Sequence, residues 1–525
     1  MKAIELELFT HRFGALARGM GERLRRTAVS TNIKERLDFS CALLDPQGRL
    51  VVNAPHIPVH LGALGLCVRA VAAALPMGPG DVAVTNHPGY AGSHLPDVTV
   101  ITPVYEGGQE SPLLGWVASR AHHAEIGGTR PGSMPPDARS LAEEGVVIAP
   151  RHLVRGGVPL WDDMAALLRG GPWPSRAVPE NLADLAAAVA ANHHGAETLR
   201  RLAEEHGRGR VWAAMRALRA RAAAQLRAAL RRLGDGRRVA EQRLDDGAPL
   251  RVALEVRGER LRVDFAGSAP THPGNLNATP AVVRAAVLYV LRLLVAEPLP
   301  LNEGLLEPVE LVVPEGMLNP RFPADPTRAP AVVGGNVETS QRLVDTLIAA
   351  LDIAACSQGT MNNVLFGDDR FGYYETVCGG SGASPGHAGA SAVHTHMTNT
   401  RITDPEVLEH RFPVRLERFA VRRGSGGEGA FRGGDGTVRE LTFLAPMSLS
   451  LVTQHRVEEP YGAAGGGAGV RGRQRLLRVD GGVEELASVD GREVAPGDRL
   501  LLETPGGGAW GPLRASAPPA TRPRP

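Results

Sequence analysis

The chain has 525 residues, and its 58 Lys and Arg residues nearly balance its 56 Asp and Glu residues, which leaves a formal net charge of +2. This length predicts two or three coupled domains, and the near-neutral charge gives no support for a nucleic-acid partner. The four cysteines are widely spaced and form no CxxC pair, so they indicate neither a zinc ribbon nor a disulfide scaffold and favour a reducing cytoplasm.

The N-terminal segment, up to about Arg26, predicts an amphipathic helix rather than a secretion signal, because charged and apolar residues alternate at the helical period. From Phe39 to about Ile101, short apolar runs are separated by turns rich in Pro, Gly, Asn and His, which is typical of strands that carry functional loops. The apolar face of the helix comprises Ile4, Leu8, Phe13, Leu16, Met20 and Leu24.

Two helices are expected between Asn181 and Leu233, with a break near Gly207 and Gly209. We interpret the arginine-rich face of the second helix as a solvated surface, because no interleaved aromatic residues support a nucleic-acid site. The opposite face carries an apolar stripe. The arginines are Arg216, Arg219, Arg227 and Arg231, and the stripe is Val211, Met215, Leu218, Ala222, Leu226, Leu230 and Leu233.

Two alternating runs flank residues 257–259 and predict a hairpin, and further helices are expected around Ala281–Ala296 and Thr339–Ile353. The longest apolar run, at residues 280–296, is interrupted by two arginines, so no membrane-spanning helix is predicted. From about Arg415 the chain is glycine-dense and strand-like, and it ends in a proline-rich tail that we expect to be disordered.

Together these patterns predict an α+β, multi-domain fold with mixed sheets, inserted helices and a β-rich, glycine-dense C-terminal part. We divide the chain into an N-terminal α/β region with a His/Asp cluster, a helical segment, a central α+β region with a glycine-rich loop, a β-rich region and the tail. These parts span residues 1–180, 181–240, 241–410, 411–514 and 515–525.

The densest polar constellation lies between two predicted strands, at residues 86–97, and is followed by His122 and His123. Imidazole and carboxylate groups suit Zn, Mn or Fe, and His94 and Asp97 are close enough in sequence to converge on one divalent ion. Strand alternation points only one of His122 and His123 toward that ion, and we favour His123 as the third ligand. The alternative is that these histidines are hydrogen-bonded loop residues.

A second histidine pair, His56 and His60, has the i, i+4 spacing of a helix face, but Pro58 between them favours a shaped loop. Two interpretations stand equally. The histidines act as general acid/base groups or as partners that orient a ligand, or they cap the neighbouring helix.

Two short motifs are discounted. The run 424–429 fits G-x-G-x-x-G but precedes predicted strands, without the strand-turn-helix context of a dinucleotide site. The run 382–386 fits G-x-S-x-G, but proline follows its serine where a nucleophile elbow needs a helix. The sequence contains no Walker A motif, so ATP, if it is used, is expected to bind another chain.

A glycine-rich run at residues 378–387 suits backbone amides that surround an anion or oxyanion. On this interpretation Gly379 and Gly380 contact the substrate, and Ser381 and the downstream His396 are catalytic candidates. A glycine-rich structural crossover explains the run at least as well.

Asn336 and Glu338 precede the predicted helix at residues 339–353. They are interpreted either as polar residues at the start of that helix or as substrate contacts.

Several long, ordered segments carry a resemblance to known proteins: NIKERLDFSCALLDPQGRLVVNAPHIPVHLG, GDVAVTNHPGYAGSHLPDVTVITPV, RAHHAEIGGTRPGSMPPDARSLAEEGVVI, NPRFPADPTRAPAVVGGNVETSQ, GGSGASPGHAGASAVHTHMTNTRITDPEVLE and PYGAAGGGAG. Nearly end to end, the chain resembles the hydantoinase B family. This family includes the B-type subunits of ATP-dependent N-methylhydantoinase and 5-oxoprolinase and a related subunit of acetone carboxylase.

The resemblance implies a two-component machine. An A-type partner related to sugar kinases would bind ATP and activate a ring carbonyl by phosphorylation, and the B-type component would complete the hydrolytic opening of a cyclic amide or imide. The resemblance also implies a divalent metal on His94, Asp97 and His122 or His123. We therefore expect a hetero-oligomer with the A-type partner. A subunit of an acetone- or acetophenone-type carboxylase and a noncatalytic scaffold for that partner are the alternatives.

The sequence departs from the family pattern at residues 86–88, where Asn-Asp-Pro is more typical than Asn-His-Pro, and at Glu125, where Asp commonly follows the histidines. The expected mechanism is that the metal lowers the pKa of a bound water to about 7 and that His60 or His122 moves its proton. The backbone amides of residues 379–384 would stabilise the oxyanion.

Overall fold

The computed structural model describes residues 1–53, 57–108 and 111–513. His56 and the proline-rich tail lie outside these residues. The helices of the described residues are α1 (Ala3–Thr27), α2 (Thr31–Lys34), α3 (Pro58–Leu61), α4 (Leu64–Ala74), α5 (Leu141–Glu144), α6 (Trp161–Arg169), α7 (Val178–His206), α8 (Arg208–Leu233), α9 (Pro280–Leu293), α10 (Ser340–Leu351) and α11 (Pro405–Arg411). None of them is both long and apolar enough to cross a bilayer.

The strands of the same residues form four sheets. They are β1 (Phe39–Leu44), β2 (Leu50–Asn53), β3 (Val82–Thr85), β4 (Asp97–Tyr105), β5 (Leu113–His122), β6 (Arg151–Arg155), β7 (Val158–Pro159), β8 (Gly236–Arg243), β9 (Pro249–Arg257), β10 (Arg260–Asp264), β11 (Val309–Val312), β12 (Asn363–Gly367), β13 (Gly372–Thr376), β14 (Val414–Arg422), β15 (Gly436–Phe443), β16 (Met447–Val452), β17 (Arg473–Leu477), β18 (Val483–Glu485), β19 (Val489–Val494) and β20 (Arg499–Glu503). This mixed architecture confirms the predicted α+β fold class.

The first sheet has the order β2-β1-β5-β4-β3-β6-β7, and all its neighbouring strands are antiparallel. The long helices α1 and α7 pack against each other, and α7 also covers β4 and β5. Apolar side chains from both helices and from the sheet form one continuous core. The sheet is therefore buried on the helical side, and its central strands β4 and β5 are held rigidly.

The predicted apolar face of α1 is correct from Phe13 onward, where Phe13 and Met20 are fully buried. It is wrong in the first two turns, because Ile4 and Leu8 are 80% and 58% exposed. Phe9 is buried in their place, since its ring packs edge-on against His206 at 5.3 Å between centroids.

The break between α7 and α8 falls at Gly207, as predicted, where a φ of 80° turns the chain. The apolar stripe of α8 is buried or half-buried as expected. Arg219, however, does not lie on a solvated surface. Its guanidinium is buried in an ion pair with Asp45, which is also buried.

The second sheet has the order β11-β10-β9-β8, and β9 and β10 form the predicted hairpin. The third sheet, β13-β12-β16-β19, takes strands from both sides of residue 410, and the fourth has the order β14-β15-β20-β17-β18. The boundary placed at residue 410 therefore does not separate sheets, because β12 and β16 pair although they are distant in sequence. All the domain boundaries stay predictions.

Candidate metal centre

The centre of the candidate site is Asp97, the first residue of β4. The antiparallel register of β4 and β5 places Asp97 directly opposite His122, the last residue of β5. Opposed residues project from the same face of a sheet, so the two side chains meet. His94 lies in the tight turn that leads into β4, where the Asp97 amide donates to the His94 carbonyl at 3.2 Å.

The two carboxylate oxygens of Asp97 have different surroundings. Oδ2 accepts the Ser93 hydroxyl at 2.5 Å and lies 3.2 Å from His60 Nε2. Oδ1 lies 3.1 Å from His94 Nε2 and 3.3 Å from His122 Nδ1. Neither approach to Oδ1 has hydrogen-bond geometry, so Oδ1 and both nitrogens of His94 are buried without a hydrogen-bond partner among the residues that the structure describes.

Buried polar atoms are nearly always paired, and an unpaired group costs roughly 1–3 kcal/mol. Three side chains whose ligand atoms converge without hydrogen bonds to one another fit a divalent cation placed between them. His94, Asp97 and His122 each offer one ligand atom, and these atoms all lie within 4.8 Å of one another. Their imidazole and carboxylate chemistry suits Zn, Mn or Fe, as the sequence predicts.

The protonation states also suit metal binding. Burial by itself would raise the pKa of Asp97, but the His94 and His60 rings outweigh it and hold that pKa well below its usual value. Burial lowers the pKa of His122. The Asp97 carboxylate is therefore ionised and the His122 imidazole is neutral, which are the forms in which these two groups bind metals.

His60, which the sequence predicts to move a proton or to orient a ligand, lies in α3, and its side chain contacts Asp97. Its Nδ1 lies 3.2 Å from the Ser40 hydroxyl while its Nε2 faces Asp97. This two-sided anchoring favours the positioning interpretation, in which His60 and Ser93 fix the carboxylate.

His123, which the sequence favoured as third ligand, points away from the cluster. Its Nδ1 lies 3.1 Å from the Asn181 amide nitrogen on α7. His122, rather than His123, faces Asp97, because side chains alternate along β5 and His122 is in register with Asp97. The ligand role of either histidine stays a prediction.

The two departures from the family pattern do not touch these three donors. His87 accepts the Gly89 amide at 2.9 Å and caps a short 3-10 turn. Glu125 accepts the amides of Gly127 and Gly132 at 2.6 and 3.0 Å. Both therefore shape loops around the site.

Sequence reasoning missed two neighbours of the cluster. Asp38, just before β1, has its Oδ2 4.0 Å from His122 Nδ1. Tyr374 on β13 stacks on the His122 ring with 4.4 Å between centroids, and the Arg36 guanidinium lies 4.7 Å from the same tyrosine ring. The only sequence signal for Asp38 was its place at the start of a buried strand.

Glu338 and Asn336 are buried in a π-helical turn, Gly335–Thr339, that leads into α10. Glu338 Oε1 accepts the Asn363 amide at 2.7 Å, and Asn363 in turn accepts the Tyr374 hydroxyl at 2.9 Å. Burial raises the pKa of Glu338 to about 8. Through Tyr374, the glutamate is connected to the His122 ring.

The glycine-rich run is a structural crossover in this conformation. The amides of residues 379–384 all donate to protein acceptors, so none of the six is free to bind an oxyanion. The acceptors of Gly379, Gly380, Ser381, Gly382, Ala383 and Ser384 are Val393 O, Pro505 O, Ala390 O, Ser357 Oγ, Gly508 O and His387 O, at 3.2, 3.0, 2.9, 3.1, 2.9 and 3.0 Å.

Ser381 and His396 do not join the His94, Asp97 and His122 cluster. The Ser381 hydroxyl accepts the Ala390 amide at 2.8 Å. His396 Nε2 lies 3.1 Å from Asp345 Oδ1 on α10. The catalytic roles predicted for these two residues stay predictions.

A sequence profile of the family described as Hydantoinase B/oxoprolinase matches residues 2–513. The chain is 44% identical to 5-oxoprolinase 1 of Arabidopsis thaliana, over 97% of this chain and 42% of that protein. It is 30% identical to a protein described as the B-type component of a D-/L-hydantoinase from Pseudomonas sp. strain NS671, over 94% of this chain and 87% of that protein. The chain thus spans about two fifths of the length of the 5-oxoprolinases that it matches.

The fold is also similar to a solved structure. The ATP-dependent caprolactamase from Pseudomonas jessenii superposes with a TM-score of 0.88 and 28% sequence identity, over 98% of this chain and 91% of that chain.

Proposed function

Because the chain belongs to the hydantoinase B/oxoprolinase family, we propose that it is the B-type component of an ATP-dependent amidohydrolase that opens a cyclic amide or imide. ATP would bind an A-type partner chain, which would activate the substrate carbonyl, and both components would act in the cytoplasm. The observation that carries this proposal is the buried group of His94, Asp97 and His122, whose donors converge without bonding to one another.

The proposal of an A-type partner is supported by a relative that is described as one component of a hydantoinase. The chain spans 42% of the Arabidopsis 5-oxoprolinase but 87% of the Pseudomonas protein, which is described as one component of a hydantoinase. The sequence has no Walker A motif. A chain of this kind would perform the second half of a reaction whose ATP-dependent half takes place on another polypeptide.

The contacts of the residues support the roles that we propose for them. His94, Asp97 and His122 would hold a divalent ion, which when bound supplies Lewis-acid polarisation of a carbonyl and activation of water. Ser93 and His60 hold Asp97 Oδ2, so that Oδ1 stays turned toward His94 and His122. Stacking on Tyr374 fixes the plane of the His122 ring.

The test is co-expression of the chain with an A-type partner from a neighbouring reading frame, followed by assays of ATP hydrolysis and ring opening. Hydantoins, 5-oxoproline and ketones would be compared with and without bicarbonate. We expect ATP-coupled opening of a cyclic amide, independent of bicarbonate and abolished in an Asp97→Asn complex that still assembles. A bicarbonate-dependent ketone product would replace the proposal with a carboxylase, and full activity in the Asp97→Asn complex would contradict it.

A further inference from the structure

A second group of metal-type side chains lies outside the site described above. Asp345 on α10, Cys356 in the loop that follows it and His455 just after β16 each offer one ligand atom, and these atoms lie within 4.8 Å of one another. All three side chains are fully buried. The group joins three segments that are distant in sequence.

The distances suit a tetrahedral ion. Cys356 Sγ lies 3.8 Å from His455 Nε2. Metal–sulfur and metal–nitrogen bonds of usual length would place a sulfur and a nitrogen about 3.6 Å apart around one tetrahedral zinc. A small adjustment of the side chains is therefore enough for both to bind one ion.

One atom each of His455 and Asp345 is left available to bind a metal inside the group. His455 Nδ1 lies 2.8 Å from the Glu458 carbonyl and therefore donates to it, which leaves the lone pair of Nε2 facing Cys356. Asp345 Oδ1 accepts the Ser357 amide at 3.2 Å and is 3.1 Å from His396 Nε2. Asp345 Oδ2 is buried and has no hydrogen-bond partner within the described ranges 1–53, 57–108 and 111–513.

Space is kept open over these atoms by Gly359. A Cβ atom at this position would lie 2.3 Å from His455 Nε2 and 3.0 Å from Asp345 Oδ2. Gly359 also has a φ of 57°, which side chains rarely adopt. A residue other than glycine would fill the region where the donors meet.

The surrounding charge favours anionic ligands. Arg342, one turn before Asp345 on α10, is buried, and its Nε and Nη2 atoms have no hydrogen-bond partner in the described part of the chain. The guanidinium would stabilise the negative charges of a thiolate and a carboxylate, and these two charges would balance the divalent ion.

We propose that Asp345, Cys356 and His455 form a second divalent-metal site, of the zinc type with a thiolate ligand, that ties α10 to the loops carrying Cys356 and His455. His396 orients Asp345 from outside the ligand set. The site is independent of the proposed function, because neither its ligands nor its test involves substrate, ATP or a partner chain.

The test uses Co²⁺ as a spectroscopic probe on the purified full-length chain in a phosphine reductant. Only this second site contains a thiolate, so it alone should give the ultraviolet charge-transfer band of a cobalt–thiolate bond. We expect that band to saturate at one cobalt–thiolate bond per chain. The Asp97→Asn variant should keep it, and so should Cys378→Ser, which removes a cysteine outside the group.

The Cys356→Ser variant should lose the band while retaining the cobalt bound at the first site. His455→Gln keeps the thiol, and its affinity for cobalt, measured from the intensity of the band, should fall at least tenfold. If Cys356→Ser does not fold, His455→Gln tests the proposal in its place. The proposal is overturned if the folded unaltered chain gives no thiolate band. It is equally overturned if the band survives in Cys356→Ser, disappears in Asp97→Asn, or keeps its affinity in His455→Gln.

Discussion

Asp97 and His122 lie directly opposite each other on the neighbouring antiparallel strands β4 and β5, with Asp97 Oδ1 3.3 Å from His122 Nδ1. One residue further along, His123 faces α7 and pairs with Asn181. The register of two strands therefore decides which of two adjacent histidines belongs to the candidate metal centre.

The first prediction compares those two histidines. His122→Ala should lose the metal bound at the cluster, with an affinity loss greater than the roughly 10–100-fold that removal of an outer partner costs. His123→Ala should retain the metal and lose only the contact to Asn181, which is worth about 1 kcal/mol of stability. Metal content after dialysis and thermal unfolding measure the two effects. Equal metal retention in both variants would contradict the ligand assignment.

A second prediction concerns Ser93, whose hydroxyl donates to Asp97 Oδ2 at 2.5 Å. Ser93→Ala leaves the three ligands intact but frees the carboxylate to rotate, so metal affinity should fall roughly 10–100-fold. Competition with a chelator gives the dissociation constant. Ser119→Ala is the matched control, because Ser119 is a buried serine on β5 whose hydroxyl has no hydrogen-bond partner in the part of the chain that the structure describes. A similar loss in both variants would argue against a positioning role for Ser93.

Much of the helical structure could be predicted, because a helix records its buried face in local spacing. Leu343, Leu347 and Leu351 on α10 are buried as their period indicates. The register of β4 and β5 could not be predicted. A bulge after Val104 shifts the pairing of the two strands, and the sequence of either strand alone does not reveal it. The candidate ligand His94 and its neighbour Asp97 were found from their short spacing, but the choice between His122 and His123 depended on that register.

Contacts between distant segments were beyond sequence reasoning. Cys356 and His455 are 99 residues apart and share no spacing motif, so their approach follows only from the packing of β16 against β12. The same pairing explains why the boundary at residue 410 does not separate sheets. The glycine-rich run was equally ambiguous, since an anion loop and a close-packed crossover both require glycine.

A third prediction tests that close packing. A Cβ at Gly380 would lie 1.9 Å from the Gly434 carbonyl oxygen, which is backbone and has no free rotation. Gly380→Ala should therefore destabilise the protein by more than the roughly 1–3 kcal/mol typical of overpacking. Gly209→Ala is the control, because Gly209 lies in α8 with open space around its Cα, and alanine favours a helix by up to about 1 kcal/mol. Denaturant unfolding measures both, and comparable stability of the two variants would contradict the packing.

The last prediction uses Glu144, a fully buried carboxyl at the end of α5. Its Oε1 accepts the amides of Val332 and Val333 at 2.9 and 2.8 Å, and its Oε2 has no hydrogen-bond partner among the described residues. Burial raises the pKa of Glu144 from 4.5 to about 8. Below pH 4.5 the group is protonated in both states and has no effect on the free energy of unfolding. Above that pH the unfolded chain releases the proton while the folded protein keeps it until about pH 8, so the free energy of unfolding falls as the pH rises through this window.

Glu144→Gln keeps the two amide contacts but cannot titrate. Between pH 5 and 8 its stability relative to the unaltered chain should therefore rise by on the order of 3 kcal/mol. Denaturant unfolding of both proteins across this range checks the prediction, and a difference that stays constant with pH would show that Glu144 is ionised in the folded protein.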